Sequence, residues 1–217
     1  MSNPDSFVNE VTEEVRRDRL FGLFKKYGWI GALLVILLVG GAAVNEWRKA
    51  QQRADAEAFG DAVIAAMEID DREARAAALA EMDVDGGRAA VLRLLTAAEA
   101  MNAGDREKAL ATLAELEADG NLPASYRQLA ALKRVTIGGA DIPIEEREQV
   151  LSGLAQPGEA FRPLAMEQLA LLRIETGERE AALEILEDLV TDSEATSGLR
   201  QRASQLMVVL GGEPATG

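Results

Sequence analysis

Apolar positions along the chain fall into three regimes. Phe7, Val11 and Val15 recur every four residues, followed by Leu20, Phe21 and Phe24, with Asp5 or Ser6 placed to cap the start. That spacing predicts a short amphipathic helix over residues 6–24, suited to a membrane surface or to a partner. From Tyr27 to Val44 the alternation stops, and no charge and no proline interrupts the run. After Trp47 apolar residues return at three- and four-residue spacing, in short stretches separated by glycine and acidic turns.

The middle regime sets the largest question. An α-helix over residues 27–44 covers roughly 27 Å, close to a hydrocarbon core of about 30 Å. Phe21, Phe24, Tyr27 and Trp29 crowd one end and Trp47 stands at the other, where an interfacial belt belongs. Lys25 and Lys26 close the N-terminal end and have the reach to snorkel to headgroups. The expectation is a transmembrane helix over 27–44, with Lys25, Lys26, Tyr27, Trp29 and Trp47 at the interfaces. Five basic residues precede the span (Arg16, Arg17, Arg19, Lys25, Lys26) and three follow it closely (Arg48, Lys49, Arg53). The positive-inside rule then puts the N-terminus in the cytoplasm and the bulk of the chain across the membrane. A cleaved export signal is the competing reading, with the GAA at 41–43 as its cleavage site, but the leader is long and carries as many acids as bases. A core helix of a soluble protein is a third. Gly28 and Ala32 form a small-xxx-small pair, common by chance, able to pack on another span.

The third regime repeats itself. AMNAGDREKALATLAEL at 100–116 aligns with RIETGEREAALEILEDL at 173–189, including Gly104 with Gly177, Arg106 with Arg179, Ala109 with Ala182 and Leu113 with Leu186. Glycines keep a 34-residue beat from 104 to 138 and from 177 to 211. The same step back from Gly104 reaches Asp70, and the GADIP stretch absorbs the longer interval between 138 and 177. That period belongs to helix–turn–helix repeats of the tetratricopeptide type. A glycine between two helices takes φ > 0 and lets the chain reverse, and the acidic residue after it suits the next helix N-terminus. Alanines at 109 and 182 leave room for a paired helix. Leucines at 110, 113, 116 and at 183, 186, 189 form the buried stripe.

These patterns predict an all-α chain: a single transmembrane helix followed by a tetratricopeptide-like helical-hairpin solenoid. The segments are 1–26, cytoplasmic and amphipathic; 27–44, the span; 45–210, the repeats; and 211–217, a frayed tail. Helices are expected near 6–24, 27–68, 71–82, 88–103, 106–118, 123–137, 143–155, 160–176, 179–192 and 196–210, with Pro123 and Pro143 in first turns. First helices of such repeats usually line a concave face, which nominates Val91, Leu94, Ala98, Met101, Leu132, Val135, Leu171 and Ile174 as a peptide groove. The competing assignment makes the same residues plain core.

Composition narrows the chemistry. The 217 residues carry a net charge of −14 and contain neither cysteine nor histidine. Disulfides, thiolate nucleophiles, imidazole bases and ordinary zinc or haem sites are excluded. Residues 1–27 are neutral, so the whole negative charge lies beyond the apolar run. Such acidity disfavours nucleic acid. Asp70–Asp71 and Glu145–Glu146 suit helix starts, and MDVDGG at 82–87 lacks the remaining ligands of a calcium loop. No phosphate loop or nucleophile elbow occurs. The reading is therefore a non-enzyme without cofactor or small-molecule substrate.

One family unites these features. EVRRDRLFGLFKKYG, the apolar run, the EW pair at 46–47, a helix carrying AFGDAV and the GDREKAL and GEREAAL turns together resemble the ancillary SecYEG translocon subunit family. The resemblance implies a bacterial inner-membrane protein with periplasmic repeats, whose partners are translocon subunits and periplasmic chaperones, and it carries over no catalytic residue. The alternatives are a scaffold for another envelope complex, in cell division or cofactor maturation; a carboxylate-based hydrolase; and the same chain with inverted topology.

Overall fold

This computed structural model describes the backbone of residues 4–212; the side chains of 4–25, 27, 28, 31, 32 and 80 fall outside the description. The fold is all-α. Among the described residues there are nine α-helices, one 3-10 turn and no strand. The chain divides into two compact units, Met1–Ala65 and Ala66–Gly217.

The first unit consists of α1 (Pro4–Met67), which runs on two residues past it. The break expected between residues 24 and 27 is absent, and the helix is continuous there. Nothing between Phe24 and Tyr27 is a helix breaker: Lys25 and Lys26 are good helix formers, and Gly28 alone costs only about 1 kcal/mol. Expectations resting on Phe7, Val11, Val15, Gly28 and Ala32 concern side chains outside the described residues, as does the tail beyond Gly212.

The second unit contains α2 (Arg72–Ala80), α3 (Gly86–Asn102), α4 (Arg106–Ala118), α5 (Ala124–Gly138), α6 (Ile144–Leu154), α7 (Arg162–Glu175), α8 (Arg179–Thr191) and α9 (Ser197–Val209). From α2 onward each helix packs on the next, and α3 also touches α5, as α7 touches α9. The predicted boundaries agree to within a few residues, because the signals are local. Asp71, Asp105 and Thr196 are N-caps whose side chains accept the backbone N–H of Ala74, Lys108 and Leu199. Pro123 and Pro143 sit one position earlier than expected, at the N-cap rather than in the first turn.

Three helix ends share one geometry. Gly104, Gly177 and Gly211 have φ of 81°, 80° and 75°. Each donates to the carbonyl three residues back, while the following N–H reaches five back: Gly104 to Met101 and Asp105 to Ala100, Gly177 to Ile174 and Glu178 to Arg173, Gly211 to Val208 and Gly212 to Met207. This is the paired closure that left-handed glycine permits. The beat fails at Gly138, which is helical; its successor Gly139 takes the positive φ instead. A side chain at 138 would displace that of Ile142, since a Cβ there would lie 2.3 Å from Ile142 Cδ1. The longer interval falls where expected, in the GADIP stretch, whose first three residues, Gly139–Asp141, form a 3-10 turn.

The repeat reaches into the core. Gly104 and Gly177 are 73 residues apart, and the same offset relates two buried clusters. Ala97, Leu113, Leu116, Leu122 and Ala130 join α3, α4 and α5. Ala170, Leu186, Leu189, Ala195 and Ala203 join α7, α8 and α9. A third cluster, including Leu132, Val135, Leu151, Leu154 and Leu169, ties α5 and α6 to α7 between them.

Two substitutions of opposite sign test this account. Gly104→Ala meets no atom within 4 Å and retains only the backbone strain of φ > 0, so we expect a loss of about 1 kcal/mol. Gly153→Ala, in helical backbone near the end of α6 and equally uncrowded, should gain about 0.5 kcal/mol. Urea unfolding of the two variants measures both.

Candidate functional site

Leu33 through Val39 form seven consecutive apolar positions of α1, each between 46% and 67% exposed. Successive helical residues point about 100° apart, so seven of them cover the whole circumference. Val44 and Trp47 extend the exposed run, and Trp29 and Lys26 are exposed on its other side. Lys25 and Tyr27 lie outside the described side chains. Among the described residues no helix is long and apolar enough to cross a membrane.

In Ala66–Gly217 the eight groove candidates separate. Leu132 and Val135 are 7% and 3% exposed and belong to the central cluster, where α6 and α7 cover them. Leu94, Val91 and Ile174 are half-buried, Leu94 packed against the cluster of α3, α4 and α5. Ala98, Met101 and Leu171 are exposed. Val135 and Leu171 do meet across a small cleft of about 100 Å³ between α5, α6 and α7, beside Arg147 and Glu175. The structure thus brings two of the candidates together and places two in the core.

Arginine organises the rest of this surface, which the sequence pattern did not foresee. Arg106 donates from Nη2 to the carbonyls of Ile137 and Gly138, 2.6 Å each, and also pairs with Asp141. Arg179 donates from Nε to the Leu210 carbonyl at 2.5 Å. Both arginines, two residues beyond the turn glycine, therefore cap the C-terminus of the helix that follows their own, where the dipole favours a cation. Their identity in the two repeat copies was the visible signal; its cause lies 31 residues away.

Further pairs lace successive helices. Arg147 grips Glu175 bidentately at 2.8 and 2.7 Å. Arg202 grips Glu167 at 2.7 and 2.9 Å. Arg134 bridges Glu117 and Glu146, and Arg173 bridges Glu148 and Glu178. Arg75 joins Glu99, Arg93 joins Asp119, and Arg162 joins Asp192. The Glu175 carboxyl is held below its usual range by Arg147. Glu178 is lowered by the Thr176 hydroxyl and then Arg173, and Asp119 by the Asn121 backbone N–H and then Arg93. Among the described residues no group of carboxylates is arranged to hold a metal.

A cleft of about 400 Å³ opens between α5 and α6, lined by Arg127, Gln128, Gln149 and Glu159 together with Ala131, Val150 and Leu154. Its acids are engaged: Glu117 by Arg134 and Glu159 by Gln128. No family model, no characterised protein and no solved structure matches the chain.

Carboxylates whose folded pKa is depressed add stability that is complete above their unfolded value, about 4. That stability disappears as pH falls through the folded values. The melting temperature of the chain should therefore fall below about pH 4. Arg147→Met should flatten that fall by releasing Glu175, and should cost about 1 kcal/mol at neutral pH, because the half-exposed glutamate regains water. Thermal melts from pH 7 to pH 2 check both.

Proposed function

We propose that the protein is a membrane-tethered, protein-binding adaptor: residues 27–44 cross a bacterial inner membrane, with the N-terminus cytoplasmic and the repeats periplasmic. The observation that carries this reading is the exposure of Leu33 to Val39 around the full circumference of α1. A protein neighbour covers one stripe of a helix, whereas lipid covers every side. Each such side chain left in water forgoes about 1.5–3 kcal/mol, and a bilayer recovers that all around. Exposed Trp29 and Trp47 flank the run at the positions of an interfacial belt.

The helices from α2 to α9 fit a tetratricopeptide-like solenoid. In support stand the left-handed glycines at matching turns, the two core clusters 73 residues apart and the contacts between next-but-one helices. Such a stack binds other proteins on its open face. Tethering adds effective concentration near a membrane channel without any increase in intrinsic affinity. The resemblance noted above assigns that channel to the Sec translocon and the soluble partners to periplasmic chaperones. The net charge of −14 favours basic partners. No residue has a catalytic role in this reading.

Carbonate extraction should leave the full chain in the membrane pellet. A paired substitution, Ile36→Lys with Val39→Lys, should release it, since each lysine costs about 2.5–3.5 kcal/mol near the span centre. Alkaline phosphatase fused after Gly217 should be active only with the C-terminus outside. Crosslinking in membranes should recover translocon subunits; recovery of a division or cofactor-maturation complex instead would replace the partner assignment.

A further inference from the structure

Charge is sorted between the two helices of each hairpin. The first helices, α3, α5, α7 and α9, carry three carboxylates between them, Glu99, Glu167 and Glu175. Each is held by an arginine: Glu99 by Arg75, Glu167 by Arg202 and Glu175 by Arg147. The second helices α4 and α8 instead expose Glu107, Glu115, Glu184, Glu187 and Asp188, with no ion-pair partner among the described residues. The free negative charge of these hairpins thus lies on their second helices.

The open stripes of the first helices adjoin one another. On α3 half-buried Val91 and Leu95 lead to exposed Ala98, and 73 residues on the same stripe recurs on α7 as Leu164, Gln168 and Leu171. Leu164 and Leu171 are 41% and 39% exposed. On α5 the stripe passes through Leu129, Lys133 and Thr136, whose spacing of four and three keeps them on one side of the helix. Val91 of α3 faces Tyr126 of α5 across one cleft, and Thr136 of α5 faces Gln168 and Leu171 of α7 across another. Lys133, in the middle of the α5 stripe, is exposed and has no partner among the described residues.

We infer that the face shared by α3, α5 and α7 takes an amphipathic segment of a partner protein whose apolar side chains are accompanied by carboxylates, with Lys133 as the cation they meet. The apolar positions of α3 and α7 supply contact area on either side of α5, and complementary charge then selects the segment. A basic segment would meet Lys133 as a like charge and find no free carboxylate on this face, because Glu175 is already paired with Arg147. The net charge of −14 acts on the approach of a partner from a distance, and cellular salt screens it beyond about 8 Å. Groups on the contact face decide what stays bound, and there the sign is opposite to that of the chain. The inference rests on the protein-binding reading of the repeats and adds the chemistry of the segment they bind.

The test uses the full chain in nanodiscs of zwitterionic lipid at about 0.15 M salt, with empty discs as the blank. Fluorescence anisotropy follows a short dye-labelled peptide with leucines at helical spacing, its charged positions glutamate in one version and lysine in the other. The glutamate version should bind at least about fivefold more tightly. Lys133→Gln should remove that preference without moving the melting temperature, since the native side chain has no partner to lose. Lys108→Gln, on α4, changes the net charge equally and should leave the preference intact. Leu171→Ser should weaken the glutamate peptide by about fivefold or more. A lysine version that binds as tightly, equal effects of Lys133→Gln and Lys108→Gln, or a large fall in melting temperature with Lys133→Gln overturns the proposal. Equal binding of both versions that Leu171→Ser abolishes overturns the charge assignment alone and leaves the protein-binding reading standing. No binding of either version overturns the face itself, whereas crosslinking in membranes reports on protein binding independently.

Discussion

How closely two helices approach depends on the smallest side chains between them, and in Ala66–Gly217 those are alanines. Ala90, Ala109, Ala130, Ala165, Ala170, Ala182 and Ala203 are completely buried. With only a methyl group at the contact, helix axes come near enough for leucines on either side to interlock. Leu113 and Leu116 do so in one copy, and Leu186 and Leu189 in the other. The turns obey the same constraint. A helix pair this tight must reverse within a few residues, which the left-handed glycines at 104 and 177 allow.

Narrow apolar seams leave much of each helix open to water, and there the acidic chain meets its arginines. Most of the pairs bridge different helices rather than neighbours on one helix. Each of these pairs has at least one well-buried partner, so desolvation offsets much of its Coulomb attraction. Their geometric effect is larger: a guanidinium held by two carboxylates, as at Arg134 and Arg173, fixes the offset between helices that smooth alanine contacts would leave free to slide. The ties from Arg106 and Arg179 to the next helix end serve the same purpose.

α1 obeys different physics. Its backbone satisfies its own hydrogen bonds along the whole length, so the apolar run needs no neighbour to be helical. What it needs is a surrounding that does not penalise exposed leucine and valine on every side. The neutral charge of residues 1–27 and the strong acidity beyond are consistent with two surroundings separated by that run.

The elements themselves were legible in the residues, because helix starts, stops and turns depend on local chemistry: Asp105 capping α4, Gly104 and Gly177 closing α3 and α7. The 73-residue repeat of alanine and leucine positions was equally local. What only the tertiary structure decided is which face of each helix meets which neighbour. Leu132 and Val135 carry the same periodic signature as Leu171, yet α6 and α7 cover the first two and leave the third exposed. Likewise Arg127 and Arg200 hold equivalent positions in their helices, yet the preceding turn accepts from Arg200 whereas Arg127 lines a cleft. Spacing along a helix specifies a stripe, whereas burial depends on residues tens of positions away.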